Sequence, residues 1–78
     1  MSTSAVEHAP LATSVAFDAD EMIVSLADGR RLAMPLAWFP RLSKATQTEL
    51  LNYQLLGDGE GIHWPGLDED LSVQGLLQ

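Results

Sequence analysis

The chain has no cysteine among its 78 residues. Disulfide staples, thiolate zinc sites and thiol catalysis are therefore excluded, and the lack fits a cytoplasmic protein. Basic residues are scarce. Arg30, Arg31, Arg41 and Lys44 stand against eleven acidic residues, for a formal charge of −7. Nucleic acids are held chiefly by Lys and Arg on phosphates, so direct nucleic-acid binding is not expected. A negative field keeps a small protein in solution and also favours a small basic protein as partner. No run approaches the roughly 20 apolar residues of a membrane span, and no membrane contact is expected. The segment Met1–Pro10 has neither the basic region nor the apolar core of a secretory signal.

A hydrophobic fraction of 46% is enough for a packed core and argues against disorder throughout. The length suits one domain, and a domain of this size buries only about 60% of its unfolded surface. Its stability is thin enough for a partner to add to it, and homo-oligomers stay open. Residues 1–10 read as a flexible N-terminal tail and residues 11–78 as a single domain.

Within that domain, Leu11–Phe17 and Met22–Leu26 alternate as half-buried strands do. The turn after them is decided by register. A two-residue loop at Asp28-Gly29 would put Leu32 and Met34 on the wrong face, since a one-residue slip inverts every side chain. A three-residue loop, Ala27-Asp28-Gly29, pairs Val24 with Leu32 and Met22 with Met34, with Gly29 in the left-handed position of a bulged hairpin. The four-residue turn Asp18–Glu21 pairs Phe17 with Met22 and Val15 with Val24. Strand three is then Arg30–Pro35. Pro40 biases Phe39 away from helix, and Ser43 is expected to cap a helix from Lys44 to about Asn52. That helix is only moderately amphipathic, with Leu51 off its apolar side. Gly57–Gly61 forms a polar turn between Tyr53–Leu56 and Ile62–Trp64. Asp68-Glu69-Asp70 leads into a last helical turn capped by Ser72, with Leu71 packing on Leu76. The expected fold class is α+β: a three-stranded antiparallel meander with a packed helix, an additional short strand or hairpin and a short C-terminal helix.

Each candidate site has a plainer explanation beside it. The run Gly57-Asp58-Gly59-Glu60-Gly61 resembles a phosphate loop only superficially. It lacks the following Lys-Ser/Thr and the helix opening, and its two carboxylates repel phosphate. Asp68-Glu69-Asp70 is only a fragment of a cation loop, and carboxylates ahead of a helix explain it through the helix dipole. No metal or cofactor is expected. His63 as a catalytic base would need Ser43 or Ser72 beside it and an acidic residue, Asp68 or Asp70, to orient its ring. No motif supports that remote hydrolase. Of Trp38, Phe39, Tyr53 and Trp64, most belong in the core of so small a domain. Trp38, in a connector before a proline, is the expected exception.

Several blocks resemble a bacterial family, domain of unknown function 2442. They are Asp28-Gly29-Arg30, Trp38-Phe39-Pro40-Arg41-Leu42 and, above all, the long run Gly59–Val73, with the similarity continuing through Leu76-Leu77. The resemblance covers about Val15 to the C-terminus. It implies a small α+β domain without an assigned activity or catalytic residue. Some members resemble this domain joined to a helix-turn-helix, which implies a regulatory role. Others look like partners of a small toxin-like protein, which implies an antitoxin. The chain ends at Gln78, and no DNA-binding module is expected after it. The leading functional expectation is a non-enzymatic interaction protein, the acidic partner of a small basic protein. Two patches are candidates, the turn Asp18-Asp20-Glu21 and the favoured one of Asp58, Glu60, His63, Asp68, Glu69 and Asp70 around Trp64 as apolar anchor. The alternative is a ligand-sensing or regulatory module with a pocket between the sheet and the Trp38–Leu42 connector.

Overall fold

Alternation of apolar and polar residues over 12–35 produces three antiparallel strands in the computed structural model, which describes residues 10–77. They are β1 (Ala12–Phe17), β2 (Glu21–Leu26) and β3 (Arg31–Pro35), in the order β1-β2-β3. The register is the one that the hydrophobic pattern demands. Val15 faces Val24, Phe17 faces Met22, Val24 faces Leu32 and Met22 faces Met34. A shift between Ala12 and Ser14 lets Ala12 join the same buried face. The tail expected over residues 1–10 lies outside the described residues, Pro10 excepted.

The β2–β3 hairpin closes through Ala27-Asp28-Gly29. Leu26 N–H donates to Arg30 O at 2.8 Å, and Gly29 has φ 98°. Asp28 Oδ1 accepts the Arg30 main-chain N–H at 3.0 Å, and its Oδ2 accepts the Arg30 Nε–H at 2.8 Å. The main-chain donor first, and then the guanidinium, hold the Asp28 carboxyl below the usual carboxylate range.

The expected helix Lys44–Asn52 is replaced by two short ones, α1 (Pro40–Ser43) and α2 (Gln47–Leu51), preceded by a 3₁₀ turn at Leu36–Trp38. Pro40 occupies the first helical position of α1, where a missing N–H costs nothing. Ser43 therefore ends a helix and does not cap one. Thr46 starts α2 with a reciprocal capping box: its hydroxyl accepts from Glu49 N–H, and the Glu49 carboxylate accepts from Thr46 N–H. Leu42 and Leu50 enter the core, while Leu51 points to solvent.

The additional strand or hairpin proves to be a second three-stranded sheet: β4 (Gln54–Leu56), β5 (Gly61–Trp64) and β6 (Glu69–Ser72), in the order β4-β5-β6. The acidic triplet leads into the last helical turn as a strand, because Glu69 and Asp70 pair with Trp64 and His63 in that sheet. The loop before β6 turns at Asp68, whose φ of 53° a short polar side chain tolerates. Ser72 does cap α3 (Val73–Leu76), accepting from Gly75 N–H at 3.2 Å.

The two sheets meet through Ala12, whose N–H donates to Gly59 O at 2.8 Å, and through the Tyr53 hydroxyl, which accepts from Val15 N–H at 3.0 Å. Gly59, at φ 114°, touches β1 closely enough that a Cβ would run into the Ala12 carbonyl and stand 2.9 Å from its nitrogen. Between the sheets lie Met22, Val24, Leu42, Ile62, Trp64 and Val73, all fully buried. Every buried side-chain nitrogen and oxygen among the described residues has a hydrogen-bond partner. No helix among them is long and apolar enough to cross a membrane.

Candidate functional site

Alternation along β4–β6 sorts its residues into two faces. Leu55, Ile62 and Leu71 stand in one row, Trp64 and Glu69 in another, and both rows turn inward. Gln54, His63 and Asp70 form a row on the opposite face, followed by Leu56, Gly61 and Ser72. On this solvent face the ring Nδ1 of His63 meets Oδ1 of Asp70. A carboxylate only accepts, so the ring nitrogen carries the proton. His63 is half-buried and Asp70 is exposed.

A histidine oriented by an aspartate is two-thirds of a catalytic triad. Among the described residues, no serine, threonine or tyrosine hydroxyl bonds to the ring. The Ser72 hydroxyl, on the same face, accepts from Gly75 N–H as a helix cap. Ser43 lies in α1, with its hydroxyl on Pro40 O at 3.1 Å. Asp68 is not the partner of His63. No group of His, Asp and Glu among the described residues is arranged to hold a metal ion.

The aromatic residues divide sharply. Trp64 is completely buried, meets Phe17 edge-on at 6.5 Å and donates its indole N–H to Leu50 O at 3.0 Å. The sequence offered it both a core place and the role of apolar anchor to the acidic patch. The core place holds and the anchor is corrected: Trp64 lies fully buried, facing away from solvent. Trp38, in contrast, is 69% exposed. The exposed apolar residue on the acidic side is Leu56, at 42%.

The acidic patch divides as well. Asp58 and Glu60 lie in the β4–β5 turn, where Glu60 Oε1 accepts the Asp58 N–H at 2.9 Å. Glu60 and Asp70 line the trough on the solvent face of the second sheet. Glu69 alternates to the inner side, 3.9 Å from Arg41 Nη1. The Asp68 carbonyl accepts from the same Arg41 nitrogen at 2.5 Å. Asp68, Glu69 and Asp70 therefore do not act as one carboxylate cluster. Arg41 uses the first two to tie α1 to the β5–β6 loop, which joins the Trp38–Leu42 block to the Gly59–Val73 block.

A family model described as "Protein of unknown function (DUF2442)" matches residues 12–78. The chain belongs to this family. A crystal structure of a protein of unknown function from Rhodospirillum rubrum, at 2.75 Å resolution, is similar at 35% identity and a TM-score of 0.76. The match covers 90% of this chain and 87% of that one. No curated protein matches.

Two features of this DUF2442 domain escaped the sequence reading. Gly61 is buried between Leu56 and Ser72, and it floors a shallow trough of about 340 Å³ lined also by Glu60, Asp70 and Leu71. The sequence hinted at it only through the pairing register, which places Gly61 opposite Leu56 once the turn is known. A second depression lies between the β1–β2 turn and the connector, lined by Ala19, Asp20, Pro35, Leu36, Ala37, Pro40 and Ser43.

Proposed function

We propose that this domain is a non-enzymatic interaction protein of the cytoplasm, the acidic, antitoxin-like partner of a small basic protein. It would dock through the solvent face of β4–β6. The observation that carries this reading is the trough floored by Gly61, with Leu56, Glu60 and Asp70 around it and His63 paired to Asp70 beside it. An exposed apolar residue inside a carboxylate rim is the anatomy of an interface. The formal charge of −7 would steer a basic protein toward it. The His63–Asp70 pair serves here as a fixed polar element of the surface, since no hydroxyl among the described residues bonds to the ring. Affinity purification from native cells tests the reading. A basic protein should copurify with the wild type and be lost with Asp58→Asn/Glu60→Gln/Asp70→Asn. Copurification unaffected by the triple substitution would refute it.

A second reading, a ligand-sensing or regulatory module, is favoured by the depression beside the connector, where Pro35, Leu36, Ala37 and Pro40 give an apolar lining. Exposed Trp38 lies in that connector. Ligand density in that depression, together with loss of ligand binding in Trp38→Ala, would select it over the first.

A further inference from the structure

The β6 strand is the last of its sheet, paired only with β5 among the described residues. The phase of the ladder is set by Val73, whose N–H donates to Glu60 O at 2.9 Å. Bonded pairs then recur at Ile62–Leu71 and Trp64–Glu69, two residues apart. The main-chain groups of Asp70 and Ser72 consequently point away from β5. The Ser72 carbonyl lies at the start of α3, where it can accept within the helix. Asp70 N–H, Asp70 C=O and Ser72 N–H thus form a short open edge. The side chains of the same two residues flank the trough over Gly61.

We propose that this edge takes up an extended segment of a basic protein as a fourth strand, with a lysine or arginine of that segment lying in the trough. The inference rests on the proposed function and specifies its docking mode. Strands are spaced about 4.8 Å apart, so a long side chain crossing small Ser72 reaches the gap above Gly61. Its aliphatic stem then packs on Leu56 and its cation meets the rim carboxylates of Glu60 and Asp70. A second copy of the chain is the wrong occupant. Pairing two β6 edges would bring Glu69 and Asp70 of both copies together, a like-charge contact that opposes pairing.

The test is an amide NMR titration of the full chain with a blocked hexapeptide of alternating lysine and valine. The same peptide with glutamate for lysine is the control. The lysine peptide should give saturable shifts and slowed exchange at the Asp70 and Ser72 amides, and the glutamate peptide none. Asp70→Asn should weaken binding by roughly tenfold, as loss of one charge-assisted contact does. Gly61→Ala should do likewise, because its Cβ would stand 3.3 Å from Leu56 Cδ1 and 3.4 Å from Leu71 O and narrow the trough. Should Gly61→Ala unfold the domain, Asp70→Asn carries the test alone. Saturable shifts centred on Asp18–Glu21 would overturn the edge mode and leave the basic-partner reading standing. Absence of saturable binding by the lysine peptide would overturn both. Strong exchange protection of Asp70 and Ser72 before any peptide is added would show the edge already occupied, which also overturns the proposal.

Discussion

The indole N–H of Trp64 donates to the carbonyl of Leu50 at 3.0 Å, inside a ring that solvent does not reach. This one contact fastens the second sheet to α2 across the core. Trp64→Phe keeps most of the apolar volume but leaves the Leu50 carbonyl without its partner. The expected loss is about 2 kcal/mol, from an unsatisfied buried acceptor and a partly filled space. Trp38→Phe, at an exposed site, should change stability by no more than about 0.5 kcal/mol. Urea denaturation of the two variants checks the contrast.

Glycine substitutions should differ according to their surroundings. A Cβ at Gly29 meets nothing within 4 Å, so Gly29→Ala loses only the comfort of a positive φ, about 1 kcal/mol. Gly59→Ala adds a collision with the Ala12 main chain at the junction of the sheets, and its cost should exceed that of Gly29→Ala. Equal denaturation midpoints would contradict the close packing of the β4–β5 turn on β1.

The start of α2 is a third test. Thr46→Ala should cost about 1 kcal/mol through loss of the capping box, and Ser43→Ala much less. The reverse order would restore Ser43 as the cap.

The legibility of the sequence followed the strength of its local signals. Val15, Phe17, Met22, Val24, Leu32 and Met34 alternate cleanly, and one register satisfies all of them, so the first sheet could be derived residue by residue. The α+β class and the family followed from such patterns and from the Gly59–Val73 block. The second sheet was harder because its strands are three or four residues long. Too few positions remain for periodicity to separate a strand from a helical lead-in, and the carboxylates of Glu69 and Asp70 imitate the latter. The helix was misplaced because Ser43 and Thr46 are both good caps. Only Glu49, three residues after Thr46, distinguishes them. Trp64 was misjudged as an anchor because acidic runs lie on both sides of it in sequence, Asp58–Glu60 and Asp68–Asp70, whereas a strand sends alternate residues to opposite faces. The solvent-face site was thus half legible: Glu60, His63 and Asp70 were named, but Gly61 and Leu56 emerge only from cross-strand pairing.

The acid limb of stability should carry a signature of Asp28. Its carboxyl is held below the ordinary range in the folded state, so the contribution is present above the unfolded-state value. It is lost as pH falls through the lower, folded value. Asp28→Asn should therefore weaken the domain at neutral pH and converge with the wild type at strongly acid pH. Carboxyl-carbon NMR titration of Asp28 should show its midpoint below those of ordinary aspartates.

The docking face is tested most directly by association kinetics with the isolated basic partner, measured at several salt concentrations. Rim charges act mainly on the encounter rate, and salt screens them over about 10 Å at 0.1 M. Asp58→Asn/Glu60→Gln/Asp70→Asn should lower the on-rate and flatten its salt dependence, while Trp38→Ala leaves both near wild type. An unchanged on-rate and salt slope in the triple variant, with binding abolished by Trp38→Ala, would contradict the solvent face of β4–β6 as the docking surface and place it on the connector.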